Sequence, residues 1–188
     1  MRLGILGGSF DPIHFGHLNI AAKSLISLNL DKVIFAPLNI PWSKKTASVV
    51  PARHRVNMIE IAIKSNNKFE ISMADIERGG VSYSIDLVND INNSFDSIKD
   101  IYLIIGDDNI SSLIEWKNYD LLNKQVKFVV ASRQKKISNN NKNFYYLNNN
   151  KLLVSSTKIK ENIRTNNSIS DMVPKEVINY IKINNIYL

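Results

Sequence analysis

The sequence predicts an α/β fold, Rossmann-like and doubly wound around a mostly parallel sheet, with residues 1–188 forming a single domain. Three observations predict it. Apolar runs of strand length alternate with longer segments of helical periodicity from end to end, the order that βαβ units produce. Gly7-Gly8, Pro37, Gly106 and Ser132-Arg133 each follow such a run, so they collect at the carboxyl ends of the strands, where sheets of this kind bind ligands. At 188 residues the chain is long enough to bury a core of its own.

The first run, Leu3 to Leu6, reads as a buried strand that passes through Gly7-Gly8 into a helix carrying Leu18, Ile20, Ala21, Leu25, Ile26 and Leu28. Pro12 has no N–H to donate and belongs to the connecting loop, so the helix begins near Phe15 or Gly16. Val33 to Ala36 forms a second strand ended by Pro37, while Leu38 to Val50 has no periodicity and reads as a mobile loop over the site. Pro51 suits the first turn of a helix with Val56, Met58, Ile59, Ala62 and Ile63 inside, and His54 and Arg55 read as surface residues at its start. Phe69, Ile71 and Met73 alternate as a short strand. Asp75 to Gly80 is polar and turns at Gly79-Gly80; Ser82 or Ser84 then caps a helix with Ile85, Leu87, Val88 and Ile91.

Ile101 to Ile105 is the next strand, ending in Gly106-Asp107-Asp108. Ile110 to Leu122 reads as short helical pieces around Trp116, and Val126 to Ala131 as a strand followed by the basic loop Arg133 to Lys136. Either Phe144 to Leu147 or Leu152 to Val154 supplies a last strand. Ser155-Ser156-Thr157 caps a helix from Lys158 to about Arg164, and Pro174 opens a terminal helix with Val177, Ile178 and Ile181.

Composition removes several classes of function. Without cysteine there is no disulfide, thiol nucleophile or thiolate metal site, which agrees with a reducing cytoplasm. No signal peptide is visible, since a strand begins within two residues of Met1, and no apolar run approaches membrane-spanning length; cytoplasmic is the expectation. The net charge of +7 is spread over short groups such as Lys44-Lys45 and Arg133 to Lys136, not gathered into a stripe. It reads as part phosphate pocket and part solvated surface, with neither nucleic acid nor membrane as partner.

Chemistry concentrates in two stretches. In Gly7 to Leu18, two glycines open room for a ligand, and His14 and His17 lie three apart across a helix start. Free amides at that start point the same way, giving an anion site with two imidazoles beside it. Either feature alone is commonly structural; the combination is specific. Val154 to Lys160 has a plain reading as a helix cap, yet three consecutive hydroxyls, helix amides and a nearby cation also grip a polyphosphate.

Gly8-x-Phe10-Asp11-Pro12-x-His14-x-Gly16-His17 resembles the signature of the nucleotidylyltransferase superfamily, whose H-x-G-H element is shared with class I aminoacyl-tRNA synthetases. It is not the dinucleotide fingerprint, for no G-x-G-x-x-G occurs here. Val154-Ser155-Ser156-Thr157 stands where that superfamily has I-S-S-T-x-x-R, with Lys160 in the last position and Arg164 one turn beyond. Lysine keeps the charge and loses the bidentate fork. The whole chain resembles the bacterial nicotinate-nucleotide adenylyltransferase family, through Pro37-x-x-Ile40-Pro41, His54-Arg55-x-x-Met58, Val81-Ser82-Tyr83-Ser84, Ile104-Ile105-Gly106-x-Asp108, Trp116 and Asn185-Ile186-Tyr187. It departs from that pattern at Leu38, at Trp42-Ser43-Lys44, at Ser84 and at Arg133-Gln134.

The resemblance implies transfer of AMP from ATP to nicotinate mononucleotide by direct in-line attack, with Mg2+ accompanying ATP and no metal ligand from the protein. His14, His17 and Lys160 become the catalytic residues, the imidazoles at the α and β phosphates. Gly7, Gly8, Ser9 and Phe10 line the ATP, Ser155, Ser156 and Thr157 hold its β and γ phosphates, Gly106 and Asp108 approach its ribose, and Arg133 lies near the adenine or its phosphates. Lys44, or Lys45 in its place, meets the incoming mononucleotide phosphate. Trp116 offers the pyridine ring a stacking face and Ser82, Tyr83 and Ser84 its carboxylate donors, against an ordinary core role for Trp116. Asp11 braces the loop. Other readings are a transferase of the same superfamily acting on nicotinamide mononucleotide, phosphopantetheine or glycerol phosphate, and a basic nucleic-acid-binding domain. Homo-oligomerisation is left open.

Overall fold

A computed structural model of the chain describes residues 1–42, 50–132, 143–148 and 154–188. Its central sheet contains β1 (Arg2–Gly8), β2 (Lys32–Pro37), β4 (Phe69–Ile71), β6 (Asp100–Gly106), β7 (Lys127–Ser132) and β8 (Phe144–Asn148). They lie in the order β4-β2-β1-β6-β7-β8, and each neighbouring pair is parallel. The order runs outward from β1 in one direction and from β6 in the other, so the chain reverses its progress between these two strands and leaves a crevice at their carboxyl ends. Two-residue strands β3 (Ile40–Pro41) and β5 (Val81–Ser82) pair in parallel as a separate ribbon.

Strand periodicity divides the core into two layers. In β6, Ile101, Leu103 and Ile105 enter one cluster while Tyr102 and Ile104 enter the other; in β7, Phe128 and Val130 oppose Val129 in the same way. Helices α1 (Phe15–Ser27), α2 (Ala52–Ile63), α6 (Ser156–Arg164) and α7 (Lys175–Ile183) supply the layer around Leu6, Phe35 and Ile104. The layer around Ile5, Leu103 and Phe128 is covered by α4 (Ser84–Ser94), a 3-10 helix at Asp107–Glu115 and α5 (Tyr119–Gln125).

Several expectations change. The polar stretch after Met73 contains a short helix, α3 (Ala74–Arg78), because Gly79 and Gly80 turn the chain only after it, with φ of 71° and 66°. Met73 is the residue before that helix and not part of β4. Neither Ser82 nor Ser84 caps α4, whose N-cap is Tyr83 with no side-chain bond to the first turn. The last strand is the Phe144 alternative, and α6 starts at Ser156 with Ser155 as its cap. The expected loop over the site lies largely in residues 43–49, outside those described, although β3 occupies its beginning.

Candidate active site

The glycine turn after β1 delivers the chain to α1 with His14 as N-cap and His17 at the third helical position. Each ring answers the other residue's backbone. His17 N–H donates to His14 Nδ1 at 3.4 Å, His14 N–H donates to His17 Nδ1 at 3.3 Å, and the rings stack with centroids 3.7 Å apart. With Nδ1 accepting, the neutral ring carries its proton on Nε2, so both imidazoles are donors at that nitrogen. A Cβ on Gly16 would come within 2.9 Å of the His14 ring, so glycine is what allows the pair to sit against the helix start. Phe10 is buried behind them, its ring edge-on to His17 at 4.9 Å.

The loop carrying these histidines is pinned by buried charge. Arg55, only 2% exposed, donates from Nη1 to Ser9 C=O at 2.8 Å and from Nε to Val50 C=O at 3.0 Å. Asp11, 3% exposed, accepts from Tyr187 O–H at 2.7 Å and from Lys160 Nζ at 2.8 Å. Val50 N–H adds a longer bond to Asp11 at 3.4 Å. Burial lowers the pKa of Arg55 against the pull of Asp11 and Tyr187; burial and then the bond to Asp11 push the Tyr187 phenol far above its ordinary value.

Opposite α1, Ser155 Oγ accepts from Lys158 N–H at 3.2 Å and thereby caps α6. Ser156 Oγ donates to Pro12 C=O at 3.1 Å, tying the start of α6 directly to the histidine loop. A cavity of about 460 Å³ opens between them, lined by His14 and His17 from one side and Ser155, Ser156 and Thr157 from the other. Gly7, Gly8 and Ser9 form its floor at the end of β1, with Gly106 and Asp108 at the end of β6.

A further wall of the same cavity is made by Asp75 of α3, Ser82 of β5, Ser84 of α4 and Trp116. Asp75 is 1% exposed; its Oδ1 accepts from Arg78 Nη1 at 2.7 Å, and Arg78 reaches on to Asp90 of α4. Ser82 Oγ accepts from Asn39 N–H at 2.8 Å. Asp75 Oδ2 and Trp116 Nε1 are both buried and have no hydrogen-bond partner among the described residues. Burial raises the Asp75 pKa, and Arg78 and Ser82 oppose that rise.

Known proteins are similar to this chain in sequence and in fold. The family model described as cytidylyltransferase-like matches residues 5–162. Two relatives named as probable nicotinate-nucleotide adenylyltransferases align over nearly everything. The one from Lactococcus lactis is 37% identical over 99% of this chain and 95% of its own length. The one from Corynebacterium kroppenstedtii is 33% identical over 100% and 91%. This chain belongs to the nicotinate-nucleotide adenylyltransferase family. Its fold is that of the Plasmodium falciparum nicotinic acid mononucleotide adenylyltransferase solved in complex with NaAD, at TM-score 0.81 and 22% identity, covering 99% of this chain and 97% of that one.

For a chain of the adenylyltransferase family, most residues singled out in the sequence come together. Gly7, Gly8, Ser9, His14 and His17 share the cavity with Ser155, Ser156 and Thr157, as do Ser82, Ser84, Gly106, Asp108 and Trp116. Three do not line it. Phe10 supports His17 from behind, Tyr83 holds its ring 4.6 Å under Lys117 Nζ, and Lys160 is engaged by Asp11. Lys44, Lys45 and Arg133 lie outside the described residues.

Arg55 is the clear correction: it is a buried strut, not a surface residue, and its position three before Met58 and four before Ile59 already placed it on the apolar face of α2. His54 is half-buried, its Nδ1 2.9 Å from Tyr180 Oη. The burial of Asp75 has no mark in the sequence, because a lone acid in a polar stretch has no periodic signature.

Proposed function

We propose that the chain transfers the adenylyl group of ATP to nicotinate mononucleotide, releasing pyrophosphate. What supports this reading is one observation: imidazoles from the start of α1 and hydroxyls from the start of α6 open on a single cavity at the ends of β1 and β6. Such a set suits anions. The mononucleotide brings its own nucleophile, a phosphate monoester whose second pKa is about 6, so near neutrality it attacks without a general base. The protein's task is to align two anions that repel and to neutralise charge growing on the α-phosphate and the departing pyrophosphate.

Nε2–H of His14 and of His17 donates to the α and β phosphates, and the first amides of α1 lie beneath them. Ser155, Ser156 and Thr157, with the amides of α6, hold the β and γ phosphates. Gly106 and Asp108 approach the ribose. Trp116 covers the pyridine ring, and the uncapped first amides of α4 at Ser84 and Ile85 receive its carboxylate. Lys160 turns from Asp11 toward the triphosphate when ATP is bound, and Lys44 or Lys45 meets the mononucleotide phosphate.

Among the described residues no three His, Asp or Glu side chains gather as a metal site, while the cavity's amide, hydroxyl and imidazole donors suit phosphate oxygens. Mg2+ would accompany ATP and would supply charge neutralisation on the leaving pyrophosphate, while the protein contributes the donors that meet the phosphate oxygens. No helix among the described residues is long and apolar enough to cross a membrane.

Pyrophosphate release with ATP, Mg2+ and a panel of mononucleotides tests the reading. Nicotinate mononucleotide should be the preferred acceptor; equal or greater turnover with nicotinamide mononucleotide, phosphopantetheine or glycerol phosphate refutes the choice of substrate.

A further inference from the structure

Two indoles line the cavity, Trp116 and Trp42, and the core accounts for only one of them. Trp116 packs against the layer around Ile5, Leu103 and Phe128, whereas half-buried Trp42 belongs to neither core layer. Within the described residues no ring stacking, cation contact or hydrogen bond holds the Trp42 indole. A large aromatic side chain in a cavity wall, without core packing of its own, presents its surface to whatever enters.

The backbone fixes where that surface lies. β3 pairs with β5 so that Ile40 lies opposite Val81 and Pro41 opposite Ser82. Asn39 fastens the start of this ribbon, its N–H donating to Ser82 Oγ at 2.8 Å and its Nδ2 to Gly80 C=O at 2.9 Å. Trp42 follows Pro41 directly, as Tyr83 follows Ser82 into the first turn of α4. It therefore joins the wall of Ser82, Ser84 and Trp116, the end of the cavity to which the proposed function assigns the pyridine ring.

We propose that Trp42 is a specificity-determining residue for the mononucleotide, its indole face meeting the positively charged pyridine ring and preferring it to an uncharged one. The inference rests on the proposed function and deepens it. Trp42 is one of the positions at which the chain departs from the family pattern, so the resemblance assigns it no role. In a pyridine mononucleotide the ring nitrogen is bonded to the ribose and carries a positive charge, with the phosphate to one side and, in the nicotinate, a carboxylate to the other. An acidic side chain would attract the ring and repel both anions. An indole face attracts the cation through its quadrupole and has no net charge, so it holds the ring without that repulsion. Reduction of the ring to a dihydropyridine removes the charge and with it this attraction. Nicotinate and nicotinamide share the charged ring, so the choice between acid and amide is set elsewhere.

The test combines kinetics with the emission of Trp42 itself. Parent, Trp42→Phe and Trp42→Leu are compared by pyrophosphate release with ATP and Mg2+. KM for nicotinate mononucleotide should rise about tenfold in Trp42→Leu and less in Trp42→Phe, whose smaller ring keeps part of the attraction, while KM for ATP stays within about twofold. Inhibition by reduced nicotinamide mononucleotide, with its uncharged ring, should weaken far less in Trp42→Leu. The chain has two tryptophans, so Trp116→Phe leaves Trp42 as the sole indole. Its fluorescence should be quenched by nicotinate mononucleotide at concentrations that saturate turnover of that variant, and not by ATP alone.

An unchanged KM for the mononucleotide in Trp42→Leu overturns the proposal, as does emission that stays unquenched at saturation. Equal weakening of the reduced competitor overturns it too, since only apolar contact would remain. A rise in KM for ATP, or quenching by ATP alone, overturns it by placing the indole against the adenine. Lying outside both core layers, Trp42 should be replaced by Leu with little change in melting temperature; a large fall, with kcat lost for every acceptor, marks a structural role and overturns the proposal. Failure of the parent to release pyrophosphate from any mononucleotide would instead refute the proposed function, so the two readings fail separately.

Discussion

On the histidine wall of the cavity, polar groups are answered within the chain. His14 and His17 accept each other's amides, Ser156 reaches Pro12, and Asp11 gathers Lys160 and Tyr187 beneath the loop. The wall of α3, β5 and Trp116 leaves Asp75 Oδ2 and Trp116 Nε1 without partners among the described residues. On the proposed function the histidine wall meets the triphosphate, which presents much the same oxygens in every nucleotide, so that wall can be rigid and internally bonded before the ligand arrives. On the proposed function, binding of the triphosphate and recognition of the pyridine ring fall to different segments of one cavity.

The largest expected effect breaks the contrast at its rigid end. His17→Ala should lower turnover by about 10²–10³-fold, as removal of a preorganised donor does, while melting close to the parent temperature; near-parent kcat would remove the histidine from the mechanism. Next is the strut beneath it. Arg55→Met strips the Ser9 and Val50 carbonyls of a buried cationic donor and leaves Asp11 short of a compensating charge, so urea unfolding should show a loss of about 3 kcal/mol. A cost within experimental error would mean that the loop is held by other contacts.

At the selective end, Trp116→Ala should raise KM for the mononucleotide by about tenfold through lost stacking and leave KM for ATP nearly unchanged. A rise in both constants, or a general loss of stability, would instead mark Trp116 as core. The smallest effect belongs to Tyr187→Phe, which deletes one hydrogen bond to Asp11 and should cost about 1 kcal/mol near neutral pH. Its pH dependence has a definite sign. The folded phenol holds its proton above the ordinary value of about 10, so the unfolded chain releases a proton first and the parent loses stability as pH rises past that value. Tyr187→Phe should lose less over the same range; parallel decline in both proteins would trace the alkaline loss to other residues.

Much of this was legible in one dimension. The strand runs, the glycine turn into α1, the Ser155 cap and the break of helix around Trp116 are local patterns, set by side-chain period and turn chemistry within a few residues, and they stand in the structure. The helix at Ala74–Arg78 was not legible, since five polar and apolar residues without a heptad's length have no period to detect. Lys160 shows the same limit for the site. Its spacing from the serine run suggests a phosphate ligand, and nothing near it in sequence reveals a carboxylate 149 residues away.

By itself, then, the sequence determined the doubly wound order of elements and the two segments that carry imidazoles and hydroxyls, because periodicity, capping and a spaced motif are all short-range properties. Tertiary structure alone decided that Arg55 is a strut, that Lys160 rests on Asp11, and that Asp75 is buried against Arg78. Those outcomes depend on which distant elements share a layer or an edge. Burial and partner choice are properties of that packing, and a charged side chain reads the same along the chain whether it ends in water or beneath a loop.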